Sequence, residues 1–292
     1  MRKRLRHLYV YLSVRVLSTV VSSVSRSTAT GIGSLAGLLI YLAIPGQSRK
    51  ALENLRIAYG TSKDARELKR MARRVFIQLG RNLVDVLRLP LVRKENLDSL
   101  VSVRGLDKFE KAMAKGRGLI AISGHLGCWE LIPAFFSLRG YPVSVVGRRV
   151  YDSRIDTIVR SFRSGKDIGL VSDSNIQEAL KCLRNGRALG LLIDERANHS
   201  GIPVDFFKGK SRVTRGPAVL SMRAGAPVVP LGIHRGDRGK HIIEIGDPMY
   251  FEGSADAKRD VPQYARICSK AVEALIRKHP MEWVWMHDKF ET

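Results

Sequence analysis

Acidic residues are scarce in this chain: 27 Asp and Glu stand against 50 Lys and Arg in 292 residues, a formal net charge of +23. A surface of that sign selects polyanionic partners, which means nucleic acid or an anionic membrane and its phosphorylated lipids. Cysteine is also scarce. Cys128, Cys182 and Cys268 lie far apart without C-x-x-C spacing, which excludes a disulfide framework and a cysteine zinc site and fits a reducing cytosolic setting. A long uninterrupted apolar run is missing as well. Arg15 and Arg26 break the stretch 8–44, whose longest apolar part, 31–44, has 14 residues, short of the roughly 20 that cross a bilayer as one helix. The helix-turn-helix, zinc-finger and RRM signatures of nucleic-acid readers do not occur, so charge alone speaks for such a partner. Without a G-x-S-x-G elbow, a serine acyl-enzyme is not expected.

The basic excess is uneven, because residues 1–100 carry 19 Lys and Arg against 6 Asp and Glu. Residues 1–48 are expected to form a basic, membrane-associated helical segment with its amino terminus on the cytoplasmic side. Arg15 interrupts the first apolar stretch, which argues against a cleaved signal peptide. Residues 49–90 read as helical, with Leu55, Met71, Val75, Leu79, Leu83 and Leu87 on an apolar stripe and arginines on the remainder.

From residue 101 onward strands and helices alternate. Strands are expected at 119–122, 143–146, 169–172, 188–193, 228–233 and 241–245. Helices are expected at 106–114, 128–138, 153–162, 176–183, 215–223 and 261–278. This order predicts an α/β fold, a mostly parallel central sheet flanked by helices, over residues 49–292.

The chemistry concentrates in GLIAISGHLGCWELIPAFFSLRGY, residues 118–141. A short β-branched run ends at Ser123 and Gly124, and helical spacing of apolar residues begins near Cys128. His125 and Glu130 fall at the junction. Within one regular helix they would sit about 140° apart, so the spacing places His125 in the turn and Glu130 folded back from the first helical turns. Strand ends of open parallel sheets are where ligands bind. Gly124 and Gly127 leave room beside the imidazole for another molecule. A neutral histidine with a carboxylate partner can take the proton of a hydroxyl as that hydroxyl attacks, which suits acyl transfer to an alcohol.

These residues, with several later blocks in order, resemble the bacterial late acyltransferases of lipid A biosynthesis, within the wider HxxxxD/E acyltransferases. The blocks are RKALENLRIAYG with Asn54 and Leu55, GHLGCWE, VGRRV, GLLIDERANHSGIPVDFFKGKSRVTRGPAVLSMRAGAPVVPLGIHR and the terminal HPMEWVWMHDKF. The resemblance implies His125 as general base with Glu130 as its orienting partner, both catalytic. It implies substrate-binding roles for Arg148, Arg149, Arg163, Asp194, Glu195 and Asn54, the arginines being suited to phosphate. Glu195 stands where the family usually has Gln. Phe206, Phe207 and Thr214 are expected along an acyl channel, and oxyanion donors near Gly127.

A membrane-bound O-acyltransferase follows. It would move a fatty acyl chain from an acyl carrier protein or CoA thioester to a hydroxyl of a glycolipid acceptor, a lipid A precursor, at the cytoplasmic face of the bacterial inner membrane. It would need no cofactor and no metal, with an anionic membrane and not nucleic acid as partner. The alternatives are a lysophospholipid or sugar-lipid acceptor, and a non-enzymatic basic protein that binds membrane or nucleic acid. Against a glycerolipid acceptor, Ile193-Asp194-Glu195-Arg196 stands where those relatives have Pro-Glu-Gly-Thr.

Overall fold

In the computed structural model the alternating strands and helices close into a sheet covered on both faces. Residues 2–147, 166–251 and 256–291 are described, with side chains from residue 11 onward except Arg238. In chain order the elements are α1 (Arg2–Ser23), α2 (Arg26–Ala43), α3 (Pro45–Tyr59), α4 (Ala65–Leu87), α5 (Leu97–Leu100), β1 (Val101–Arg104), α6 (Leu106–Met113), β2 (Leu119–Ser123) and α7 (Leu131–Leu138). They continue with β3 (Val143–Gly147), β4 (Gly169–Ser172), α8 (Ile176–Arg184), β5 (Ala188–Leu192), β6 (Ile202–Phe206), β7 (Gly209–Val213), α9 (Gly216–Ala224), β8 (Val228–Arg235), β9 (His241–Ile245) and α10 (Ala257–Lys278). The helix expected at 153–162 lies outside the described residues.

Among the described residues the main sheet has seven strands in the order β1-β9-β8-β2-β5-β3-β4. Every pairing is parallel except β8 with β9, so the sheet is mostly parallel as expected. β1 and the antiparallel hairpin β6–β7 are not among the strands expected from the sequence. Successive residues of β2 enter opposite cores: Leu119 joins Phe109, Phe135 and Ile243, while Ile120 and Ile122 join Leu189, Leu183 and Ile276. That two-faced burial is why β2 reads as a continuous apolar run with no alternation. Each fully buried Leu or Ile there contributes about 1.5–3 kcal/mol of transfer free energy.

Two boundaries differ from expectation for local reasons. The segment 49–90 is two helices, α3 and α4, because Gly60 takes a left-handed φ of +55° and Asp64 caps α4 by accepting from the Glu67 N–H at 2.7 Å. Helix α7 begins at Leu131 and not at 128, since Pro133 has no N–H to give a preceding turn and is tolerated only near a helix start.

Helix α2 packs along α4 through Ala29, Gly33 and Gly37, whose backbones meet α4 so closely that a Cβ on Gly80 would sit 2.0 Å from the Gly33 carbonyl oxygen. This contact crosses the boundary expected near residue 48. The opposite side of α2 leaves Leu35, Leu39 and Leu42 exposed, Leu42 by 66%. No single described helix is long and apolar enough to cross a membrane, although α2 and residues 45–62, bent by 91°, pass that test as a pair.

Candidate active site

Strands β2 and β5 lie side by side and parallel, with Ser123 opposite Leu192, so the chain leaves both at the same edge of the sheet. His125 follows β2 and Asp194 follows β5. Asp194 is 3% exposed and accepts three N–H donors: the His125 backbone N–H at 2.8 Å, His125 Nδ1 at 2.9 Å and Trp283 Nε1 at 2.6 Å. A carboxylate with those partners stays ionised. Burial opposes the charge, but the bonds from His125 and Trp283 prevail and lower its pKa to about 2. Because Asp194 accepts from Nδ1, the neutral ring carries its proton there and Nε2 is left as the acceptor.

Burial also disfavours the charged form of His125. The hydrogen bond and charge of Asp194 outweigh it, with Glu195 and Glu130 adding negative charge, and the pKa is raised above the ordinary histidine value. The carboxylate that orients the imidazole is therefore Asp194. Glu130, expected to be that partner, is the N-cap of α7 and acts on His125 through its charge. The late start of α7 explains the shift, since it leaves Glu130 in the turn and not on a helical face.

The turn itself is held by the carboxyl-terminal segment. Leu126 bridges Trp283, Gly127 N–H donates to the Glu282 carbonyl at 2.9 Å, and Val284 N–H donates to the His125 carbonyl at 3.2 Å. Gly127 sits at φ +59° with the Ile233 carbonyl oxygen 2.3 Å from where a Cβ would be, and Gly124 gives its space to Asp194. The two glycines thus admit the protein's own backbone and carboxylate to the turn. Oxyanion donors were expected near Gly127, and the N–H of Gly127 itself is bonded to the Glu282 carbonyl.

Asn54, expected to bind substrate, is 4% exposed and donates to the carbonyls of Trp285 at 2.7 Å and His287 at 2.8 Å. It acts on the site by fixing the carboxyl-terminal segment. Asn54→Ala is expected to destabilise the fold by about 2–3 kcal/mol, by orphaning those carbonyls; equilibrium unfolding in urea would show an unchanged midpoint if the bonds carry no weight.

His287, in the terminal block HPMEWVWMHDKF, lies with its ring centre 4.9 Å from that of His125 and its Nδ1 3.2 Å from Glu195 Oε1. Trp283, Trp285 and His287 occupy every second position of the terminal block, although the chain turns at residues 285–287. That spacing was the available signal. His125, Glu195 and His287 offer ligand atoms all within 4.8 Å of one another, as do His234, Glu244 and His279, so either set has the spacing of a metal site.

A cavity of about 580 Å³ opens beside His125, lined by polar residues that include Glu195, Arg196, Asn198 and Thr214 and by apolar ones that include Ile176, Ala179, Leu192 and Leu220. Thr214 borders it, whereas Phe206 and Phe207, expected with Thr214 along an acyl channel, are buried against Trp283 and Trp285. Arg148, Arg149 and Arg163 lie outside the described residues.

A histidine clamped by a buried aspartate at the carboxyl edge of a mostly parallel sheet, on the wall of a cavity lined by polar and apolar residues, is the arrangement of an α/β enzyme's active site. The bacterial lipid A biosynthesis acyltransferase family model matches residues 1–292, and the chain belongs to that family. It is an acyltransferase. Among solved structures, the 1-acyl-sn-glycerophosphate (LPA) acyltransferase PlsC from Thermotoga maritima is similar at 15% identity and a TM-score of 0.39, over 86% of this chain and 98% of that one. No curated protein matches.

Proposed function

We propose that this enzyme transfers a fatty acyl chain from an acyl carrier protein thioester to a hydroxyl of a lipid A-type glycolipid precursor, with His125 as general base. The observation that carries the reading is the Asp194–His125 clamp, which leaves Nε2 unprotonated beside a cavity with room for a polar head and an apolar chain. The acceptor hydroxyl gives its proton to Nε2 as its oxygen attacks the thioester carbonyl. The tetrahedral intermediate then expels the thiolate, so that a C–O bond replaces a C–S bond and the imidazolium returns the proton to sulfur. Asp194, Glu195 and Glu130 stabilise the imidazolium by charge. The net charge of +23 draws an acidic carrier and an anionic membrane surface alike. The exposed apolar stripe of α2 fits a position on the cytoplasmic face of the inner membrane. Arg148, Arg149 and Arg163 are assigned to phosphates of the acceptor or of the carrier's pantetheine arm on their sequence positions.

Lipid mass spectrometry of cells with and without the gene tests the acceptor. Loss of one acyl chain from the lipid A fraction is expected, and an unchanged lipid A with altered phospholipids would overturn it.

The base must be neutral to act, so kcat/KM is expected to fall as pH drops through the His125 pKa. Because that pKa is raised, the midpoint of this acid limb should lie above 6.5. A pH–rate profile with its midpoint at or below 6.5 would contradict the assignment.

A further inference from the structure

Away from the His125 cavity, a second one of about 620 Å³ lies between α2, α4 and the turn after β8. Its wall carries three guanidinium groups, Arg26, Arg81 and Arg235, beside the hydroxyls of Ser27, Thr30 and Ser34. Among the described residues no carboxylate lines it. Asp85 lies behind, bonded to Arg26 Nε at 3.3 Å and Arg235 Nη2 at 2.7 Å, and offsets one of the three charges. The Glu282 carboxylate is turned to Gln78, Asn82 and the Arg235 backbone N–H. The Arg235 side chain is 7% exposed, and its Nε–H is buried without a hydrogen-bond partner. Thr30 and Ser34 turn their own protons to the carbonyls one turn back, and Arg81 donates Nε–H to Ser34 Oγ at 2.6 Å and Nη1 to Gln78 Oε1 at 3.0 Å, so the donors on offer are the remaining guanidinium N–H groups. Several converging guanidinium groups suit a tetrahedral oxyanion.

The position of the cavity indicates where that anion comes from. At about 100° per residue, Thr30 and Ser34 lie on a flank of α2 between its packed stripe, Ala29, Gly33 and Gly37, and its exposed stripe, Leu35, Leu39 and Leu42, while Arg26 falls in line with the packed stripe at the start of the helix. A lipid lying on the exposed stripe would reach its phosphate into the flank beside it. We propose that this cavity is a phosphate-binding site, separate from the site of acyl transfer, that takes the headgroup of an anionic membrane lipid. The inference needs no turnover, so it stands or falls apart from the assignment of His125 and of the acceptor.

The full-length protein would be tested by co-sedimentation with phosphatidylcholine vesicles containing or lacking phosphatidylglycerol. The pocket variant is Arg26→Gln with Arg81→Gln. Its control of equal charge loss is Arg66→Gln with Arg70→Gln, two exposed positions of α4 outside the cavity. The pocket variant is expected to bind anionic vesicles about tenfold more weakly than the wild type, against a change of about twofold or less in the control. Because loss of Arg26 and Arg81 also removes bonds within the fold, Ser27→Glu provides a second route. It puts a carboxylate into the cavity at the second residue of α2, where negative charge favours the helix, and should weaken vesicle binding similarly with unchanged thermal unfolding. Thermal unfolding in inorganic phosphate against chloride at equal ionic strength separates the sources. Stabilisation of wild type but not of Ser27→Glu by phosphate, with no difference on vesicles, would keep the phosphate site and overturn the lipid headgroup. Equal loss in pocket and control variants, with no phosphate effect, would overturn the site.

Discussion

His125→Ala is expected to lower kcat/KM for acyl transfer by about 10³-fold or more, within the range that loss of a positioned general base produces. The fold should survive. The imidazole is near the surface of the cavity, and Asp194 keeps the His125 backbone N–H and Trp283 Nε1–H as donors when the ring is gone. The thermal midpoint would therefore shift little while turnover disappears, and single-turnover kinetics with bound thioester would locate the loss in the chemical step. Retention of turnover within about tenfold of wild type would remove His125 from the mechanism.

Asp194→Asn has the second large expected effect, and for a different reason. Asp194 Oδ2 takes two donors, the His125 backbone N–H and Trp283 Nε1–H, and Oδ1 takes His125 Nδ1. An asparagine has a single oxygen. Placing it where two donors converge turns the amide NH2 towards Nδ1, which must then accept, and the ring proton moves to Nε2. The base would be blocked by its own tautomer. A fall in kcat of about 10³–10⁴-fold with KM little changed is expected, as for other histidine bases whose orienting carboxylate is neutralised. The acid limb of the pH profile should also move down, because the hydrogen bond and charge that raise the His125 pKa are lost. An Asp194→Asn enzyme with near-normal kcat would show that Glu130, and not Asp194, sets the orientation.

The two predictions rest on residues that the sequence disclosed to different degrees. His125 was legible because it follows a short apolar strand and precedes a helix, a local pattern within 24 residues. The strand of Asp194 was equally legible, and a parallel sheet was enough to bring its end near that of β2. Which carboxylate would bind the imidazole was not legible, since it depends on adjacency in the strand order and on where α7 begins. Asn54 looked like part of the substrate site because it sits in a block that resembles the family. Its burial beneath Trp285 and His287 is a contact between residues more than 230 positions apart, and no local period reports such a contact. The hairpin β6–β7 escaped notice for other reasons: β6 alternates, with Ile202, Val204 and Phe206 buried and Pro203 and Asp205 exposed, but a proline within a run speaks against a strand, and β7 buries Gly209 and Ser211 where a pattern of apolar residues would be sought.

By itself the sequence determined the strand–helix alternation, the basic surface, the histidine at a strand end and, through its ordered blocks, the family. These are properties of neighbours along the chain, where hydrophobic period and charge act directly. Only the tertiary structure decided that Asp194 clamps His125 and that residues 282–287 hold the turn in place. Only there do Arg26, Arg81 and Arg235 converge on one cavity. Each of these joins side chains from distant segments, and the folding of the whole core, not any local preference, sets their separation to the hydrogen-bonding range of about 3 Å.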